Sequence, residues 1–199
     1  MKATKIHLSS EEMQLVSNAE LLLTKNRIIE KVYLLFGELS EQTRLLVSSL
    51  PQELQTTSPK ISKGEKYQQL PYVILDYPRI FGKEDVFAVR TFFWWGNFFS
   101  VSIHLKGIYQ LQYAEVLQKQ SAFLSEFNFR VCINGDEWDH DMKEEDYESV
   151  TAYNDPESIN KLIHQPFYKL SVRVAFNRWD EMNEILFRLH QVIYKAIGY

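Results

Sequence analysis

The sequence predicts an α+β fold: an antiparallel sheet of about five or six strands in a two-layer arrangement, with N-terminal, middle and C-terminal helices packed on it. Three observations predict it. Alternating strand-like segments are joined by short turn signals, notably Gly96-Asn97 and Asn134-Gly135. Helical periodicity appears at the start, middle and end of the chain. Strands and helices do not alternate regularly, as a doubly wound sheet would require. The 199 residues, 45% hydrophobic and 14% aromatic, have the size of one domain and can fill a core or line a pocket with large flat side chains. Residues 1–199 are read as one unit, a helical segment over 9–50 followed by sheet and helices over 70–199.

The first helix starts at Ser9-Ser-Glu-Glu12, a capping box in which Ser9 caps and Glu12 reaches back. Met13, Val16, Ala19 and Leu23 follow at helical spacing. A second helical stretch runs from about Arg27 to Ser49, with Ile28, Val32, Leu35, Leu39 and Leu46 on its stripe, and Pro51 stops it. Thr24-Lys25-Asn26 is either a turn between two helices or part of one long helix. Residues 52–69 are polar, contain Pro59 and Gly64, and read as a long loop. Tyr72–Asp76 reads as a short strand ended by Tyr77-Pro78.

The aromatic run Phe92-Phe93-Trp94-Trp95-Gly96-Asn97-Phe98-Phe99 centres a hairpin. A two-residue type II′ turn at Gly96-Asn97 pairs Trp95 with Phe98 and Arg90 with Ile103. One face then carries Ala88, Phe92 and Trp94 against Phe99, Val101, Ile103 and Leu105, with Arg90 as its one polar member. The other runs from Phe87, Val89, Thr91, Phe93 and Trp95 to Phe98, Ser100, Ser102 and His104. The first is expected to be core and the second a mixed face, with a solvated aromatic tip. A helix over 109–125 and a half-buried strand over 127–133 follow. Asn134-Gly135 predicts a hairpin whose return strand sets Trp138 opposite Val131 and Asp139 opposite Arg130. Asp155-Pro156-Glu157 is a helix start. Tyr168–Phe176 alternates as a strand, and 179–197 is an amphipathic final helix.

Several functions are disfavoured. No two of the seven glycines lie within ten residues of each other, so neither a Walker loop nor a dinucleotide-binding glycine loop is present. The single cysteine, Cys132, allows no internal disulfide and no multi-cysteine metal site. No secretory signal is visible and no apolar stretch suits a membrane span, so a cytoplasmic protein is expected. Net charge is −4, and the segment 135–148 alone holds eight acids and one base. Overall acidity disfavours nucleic acid as a partner. No cofactor is called for.

The candidate ligand-binding residues are Lys66, Tyr67, Tyr77, Arg79, Arg90, Trp95 and His104. Arg90 on a core face needs a carboxylate, with Asp76 and Glu84 in reach by sequence, or a bound anion held together with Arg79 and Lys66. His104 lies among Thr91, Ser100 and Ser102, where it could act as a base, although a hydrogen-bonded structural histidine is the commoner case. Tyr67 and Tyr77 flank a segment of rings and cations suited to a pocket rim. Asp139, His140 and Asp141 are the weak metal candidates, set against a plain solvated acidic loop.

The stretch 64–106, with Leu70-Pro71-Tyr72, Asp76-Tyr77-Pro78-Arg79 and Phe93-Trp94-Trp95-Gly96-Asn97, resembles an uncharacterised family of bacterial conserved proteins. That resemblance implies a bacterial cytoplasmic origin and transfers no activity. The expected function is a binding or interaction module with an aromatic-lined site on one face of the 86–105 hairpin. Its partner would be a small anionic or aromatic molecule, or a second copy of the chain. The alternative is a hydrolase-type, metal-assisted enzyme using His140 and neighbouring acids.

Overall fold

The computed structural model describes residues 6–199. Helices α1 (Ser10–Val16), α2 (Ala19–Val47) and α3 (Gln52–Gln55) lead into strands β1 (Lys60–Tyr67), β2 (Leu70–Phe81), β3 (Val86–Trp94) and β4 (Phe98–Lys106). Helices α4 (Ile108–Lys119) and α5 (Ser121–Ser125) follow, then β5 (Arg130–Cys132), β6 (Tyr147–Ser149), α6 (Pro156–Ile163), β7 (Tyr168–Val174) and α7 (Met182–Ala196). Among the described residues the sheet has seven strands in the order β1-β2-β3-β4-β7-β5-β6, and every neighbouring pair is antiparallel. No helix in the described residues is long and apolar enough to cross a membrane.

The local signals for helix starts hold. Ser9 accepts from the Glu12 backbone while Glu12 accepts from the Ser9 backbone. Asp155 accepts from the Glu157 and Ser158 backbones ahead of α6, with Pro156 in its first turn. Asn18 caps α2, so the break between the first two helices falls at Ser17-Asn18 rather than at residues 24–26.

Residues 52–69 are not a loop but contain α3 and β1. β1 is the outer edge strand, and its Lys60, Lys63 and Lys66 suit an unpaired edge, where charge discourages further pairing. β2 does not end at Tyr77-Pro78 but continues to Phe81. A bulge between Asp76 and Arg79 absorbs this dipeptide, and β1 begins opposite Asp76, so Pro78 removes no ladder donor.

The hairpin register differs by one residue from the two-residue turn. Trp94 pairs with Phe98 and Arg90 with Ser102. Asn97 N–H donates to the Trp94 carbonyl, placing Gly96 at the third position of the turn with φ of 74°. A one-residue slip exchanges the faces of one strand against the other. The core face therefore carries Phe87, Val89 and Phe93 with Phe99, Val101, Ile103 and Leu105, against which α2, α4 and α7 pack. Arg90, Phe92 and Trp94 lie on the opposite face with Ser100, Ser102 and His104. The tip is not a solvated aromatic patch: Trp94 and Phe99 are buried, and Trp95 and Phe98 are half-buried.

The Asn134-Gly135 hairpin also differs. The partner of β5 is β6, with Arg130 opposite Ser149 and Val131 opposite Glu148. Residues 134–146 leave the ladder and cross the sheet face away from the helices.

Candidate functional site

Two places carry chemistry. The first is the face under the 134–146 segment, a strap that covers the middle of the sheet. Its ends are apolar: Ile74, Phe92 and Trp94 with Tyr67, Tyr72 and Phe98 on one side, and Cys132, Met142 and Tyr147 with Phe167 on the other. Between them the sheet supplies Asp76, Arg90, His104 and Lys169, all largely buried.

Arg90 grips Asp76 with two hydrogen bonds, Nε to Oδ1 at 2.6 Å and NH2 to Oδ2 at 3.0 Å. Its NH1 lies 2.7 Å from His140 Nε2. Of the two carboxylates in reach by sequence the partner is thus Asp76 rather than Glu84, and all three guanidinium nitrogens of Arg90 are engaged within the chain. The strap is tied down along its length. Lys169 Nζ donates to the carbonyls of Glu137 and Asp139, Arg173 to that of Asp141, and His140 N–H donates to the Tyr67 hydroxyl. Gln68 donates to the Asp141 carboxylate, and Lys106 to Glu137.

Burial governs the ionisation here. His104 is held at a pKa of about 3, first by desolvation and then by Lys169, Arg90 and Lys106. Glu137 Oε2 stands 3.2 Å from His104 Nε2 but without hydrogen-bond geometry, and the imidazole is neutral. His140 falls well below its ordinary value, chiefly by burial. Lys169 is lowered to about 8, again by burial. These are neutral histidines and a desolvated lysine beneath a lid of backbone, a constellation with structural occupations for each of its members.

Asp139, His140 and Asp141 do not converge: His140 Nε2 faces Arg90, and Asp141 faces Gln68 and Lys143. Among the described residues no group of three or more histidine, cysteine or acidic side chains could hold a metal ion.

The other candidates scatter. Tyr67 lies under the strap, edge-on to Trp94 and tilted against His140. Tyr77 is buried on the helix side, within the core. Arg79 sits at the β2 bulge, its N–H on Thr57, and Lys66 is exposed on β1. Trp95 borders an open cavity.

That cavity is the second place. It measures about 310 Å³ and is lined by Ile28, Phe93, Trp95, Gly96, Phe176 and Trp179. The hairpin turn aims Trp95 to the helix side, where it meets Phe93 edge-on at 6.3 Å. The 3-10 segment Phe176–Glu181, kinked at Arg178, brings the Phe176 ring to 5.5 Å from that of Phe93. Phe176 and Trp179 are legible in the sequence only as parts of a strand end and a helix start. Their distance in sequence from Trp95 gives no signal that they share a site, and neither does that of Lys169 from the strap.

A larger cavity, about 450 Å³, includes Arg173, Arg178 and Arg188 in its lining. Each is engaged within the chain: Arg173 by the Asp141 carbonyl and the Phe98 ring, Arg178 by Glu181, and Arg188 over Phe127. No protein-family model matches the chain, and no curated protein or solved structure does.

Proposed function

We propose that the chain is a binding module, acting in the cytoplasm, that takes a flat aromatic or apolar group in the cavity beside Trp95. The observation behind this reading is the composition of that cavity's wall: four aromatic rings and an isoleucine, with no ionisable side chain. Ligand sites are usually concave and mostly apolar, and this volume is at the small end of their range. Such a wall offers stacking and burial but no partner for a charge, so it favours the aromatic over the anionic ligand.

The hydrolase reading has less support. The clearest hydroxyl–imidazole pair, Thr91 Oγ1 and His190 Nε2 at 2.8 Å, is wholly buried between β3 and α7. His104 lies beneath the strap, and His140 is buried within it against Arg90.

The sequence holds four tryptophans, and their indole N–H signals report the site by NMR. Titration of ¹⁵N-labelled protein with unlabelled indole is expected to shift the signals of Trp95 and Trp179 and spare Trp94 and Trp138. Trp95→Ala should abolish the shift at Trp179. Shifts confined to Trp94 and Trp138, or none at all, would sink the reading.

A further inference from the structure

We propose that residues 6–27 form a self-association arm, covered by the same arm of a second copy in antiparallel orientation. Three observations carry it, and none depends on the Trp95 cavity.

The first is exposure. No residue in 6–27 is buried, and α1 buries none of its side chains. Yet Met13, Leu15, Val16, Leu21, Leu22 and Leu23 are each about half exposed or more, reaching 69% at Val16. Six apolar side chains left this open to water along one short segment point to an interface.

The second is periodicity. α2 lays Ile29, Val32, Phe36, Leu39, Thr43 and Val47 against the rest of the fold. The same stripe continues backwards through Lys25 to Leu22 and Leu21, beyond Ile29, the first buried residue of the helix. The core-facing stripe therefore overruns its own core by two helical turns. Such an overrun needs a second surface, and the segment 6–27 is close to the roughly 20–30 residues a side that a standard interface uses.

The third is charge. The acids of the arm, Glu11, Glu12 and Glu20, precede its bases, Lys25 and Arg27. Lys25 also meets Glu65, and Arg27 meets Glu20, within the chain. Two parallel arms would set like charges side by side. Two antiparallel arms bring Glu11 and Glu12 of each toward Lys25 and Arg27 of the other, while Leu15 and Val16 meet Leu22 and Leu23. The arm is thus complementary to itself under a two-fold axis, as an isologous dimer requires.

The test is the mass of the full chain in solution at tens of micromolar, by sedimentation equilibrium. Twice the chain mass is expected. Leu15→Glu and Leu22→Glu are solvent-facing substitutions, so each should keep the far-ultraviolet circular dichroism and thermal midpoint of the parent. Each should weaken association about a hundredfold, because the new carboxylate would be desolvated without a partner. Glu11→Lys, at an acid with no ion pair among the described residues of the chain, should also weaken it. A mass other than that of two chains overturns the proposal. So does a dimer indifferent to both leucine substitutions. The indole titration of Trp95, repeated on Leu15→Glu, reads the cavity separately.

Discussion

Arg90 and His140 meet across the covered face of the sheet, NH1 to Nε2 at 2.7 Å. A guanidinium only donates, so Nε2 is the acceptor, the ring proton sits on Nδ1, and the imidazole is neutral. His104 and His190 are likewise buried, each with a pKa of about 3 against an ordinary 6.5.

These three histidines set the acid response of the fold. Unfolded, each binds a proton near pH 6.5, while folded, each stays neutral far below it. The unfolded chain binds more protons in that window, so stability is lost as pH falls from 6.5 toward 3. Each histidine contributes up to about 1.4 kcal/mol per pH unit once its unfolded form is charged. Urea midpoints should drop steeply between neutral pH and mildly acid pH, with an uptake of about three protons on unfolding. A midpoint that does not move across this range would show that the rings are already charged in the fold. Nitrogen shifts of the His140 ring should also show Nε2 unprotonated at neutral pH.

The Arg90–Asp76 pair is expected to behave as a buried ion pair rather than as an anion site. Arg90→Met leaves the Asp76 carboxylate, 5% exposed, without its partner and should cost about 3–5 kcal/mol. Asp76→Leu should cost a similar amount through the stranded guanidinium. The double variant should cost less than either single one, because apolar side chains replace both charges together. Additive losses in denaturant titrations would mean that each group depends on something other than the other.

Much of this is written locally in the chain. The Ser9–Glu12 capping box and the Asp155-Pro156 helix start are decided by neighbouring residues, and both form in the fold. The rule that a buried arginine needs a carboxylate finds Asp76. What the sequence hides is non-local or degenerate. Gly96 fits a two-residue or a three-residue hairpin loop equally well, and that single residue decides which face Arg90 occupies. Asn134-Gly135 turns the chain, but no local feature says that β5 waits for Tyr147–Ser149 while the intervening acids cross the sheet. β1 is polar because it is an edge, so alternation could not reveal it. The Trp95 cavity needs Phe176 and Trp179, which only the tertiary fold brings near.

Two glycines are expected to respond oppositely to alanine. Gly107 has φ of 61° and ψ of −129°, and a Cβ there would collide with Asp85 Oδ1 and with the Glu84 carbonyl. That same Asp85 oxygen accepts from Ile108 N–H at 2.9 Å and so caps α4 from the β2–β3 turn. Gly107→Ala therefore strains the backbone and dislodges the cap, at a cost of roughly 2–4 kcal/mol. Gly37 lies inside α2, and a Cβ added there would meet nothing within 4 Å. Gly37→Ala should stabilise by about 0.5–1 kcal/mol. A raised thermal midpoint for Gly107→Ala would contradict the first reading, and a lowered one for Gly37→Ala the second.

Lys169 is the residue that most tightly ties the strap to the sheet. Its side chain is buried on β7, 1% exposed, and its ammonium reaches two strap carbonyls, those of Glu137 and Asp139. Lys169→Met keeps the length and apolar stem of the side chain but leaves both carbonyls without that donor. Each lost charge-assisted bond is worth roughly 1.5–3 kcal/mol, so the strap should open far more often while the helix-covered core stays intact. Lys143 lies in the strap and is exposed, which makes trypsin a direct reporter. With both bonds lost, cleavage after Lys143 should run roughly a hundred- to ten-thousandfold faster in the variant, with the rate at other sites unchanged. Uniform acceleration would show that Lys169 supports the whole fold, and no acceleration would show that Arg173, Tyr67 and Arg90 hold the strap without it. Opening confined to the strap would uncover Arg90, His104 and Lys106 together, and would turn a sealed polar layer into a surface whose ligands could then be sought.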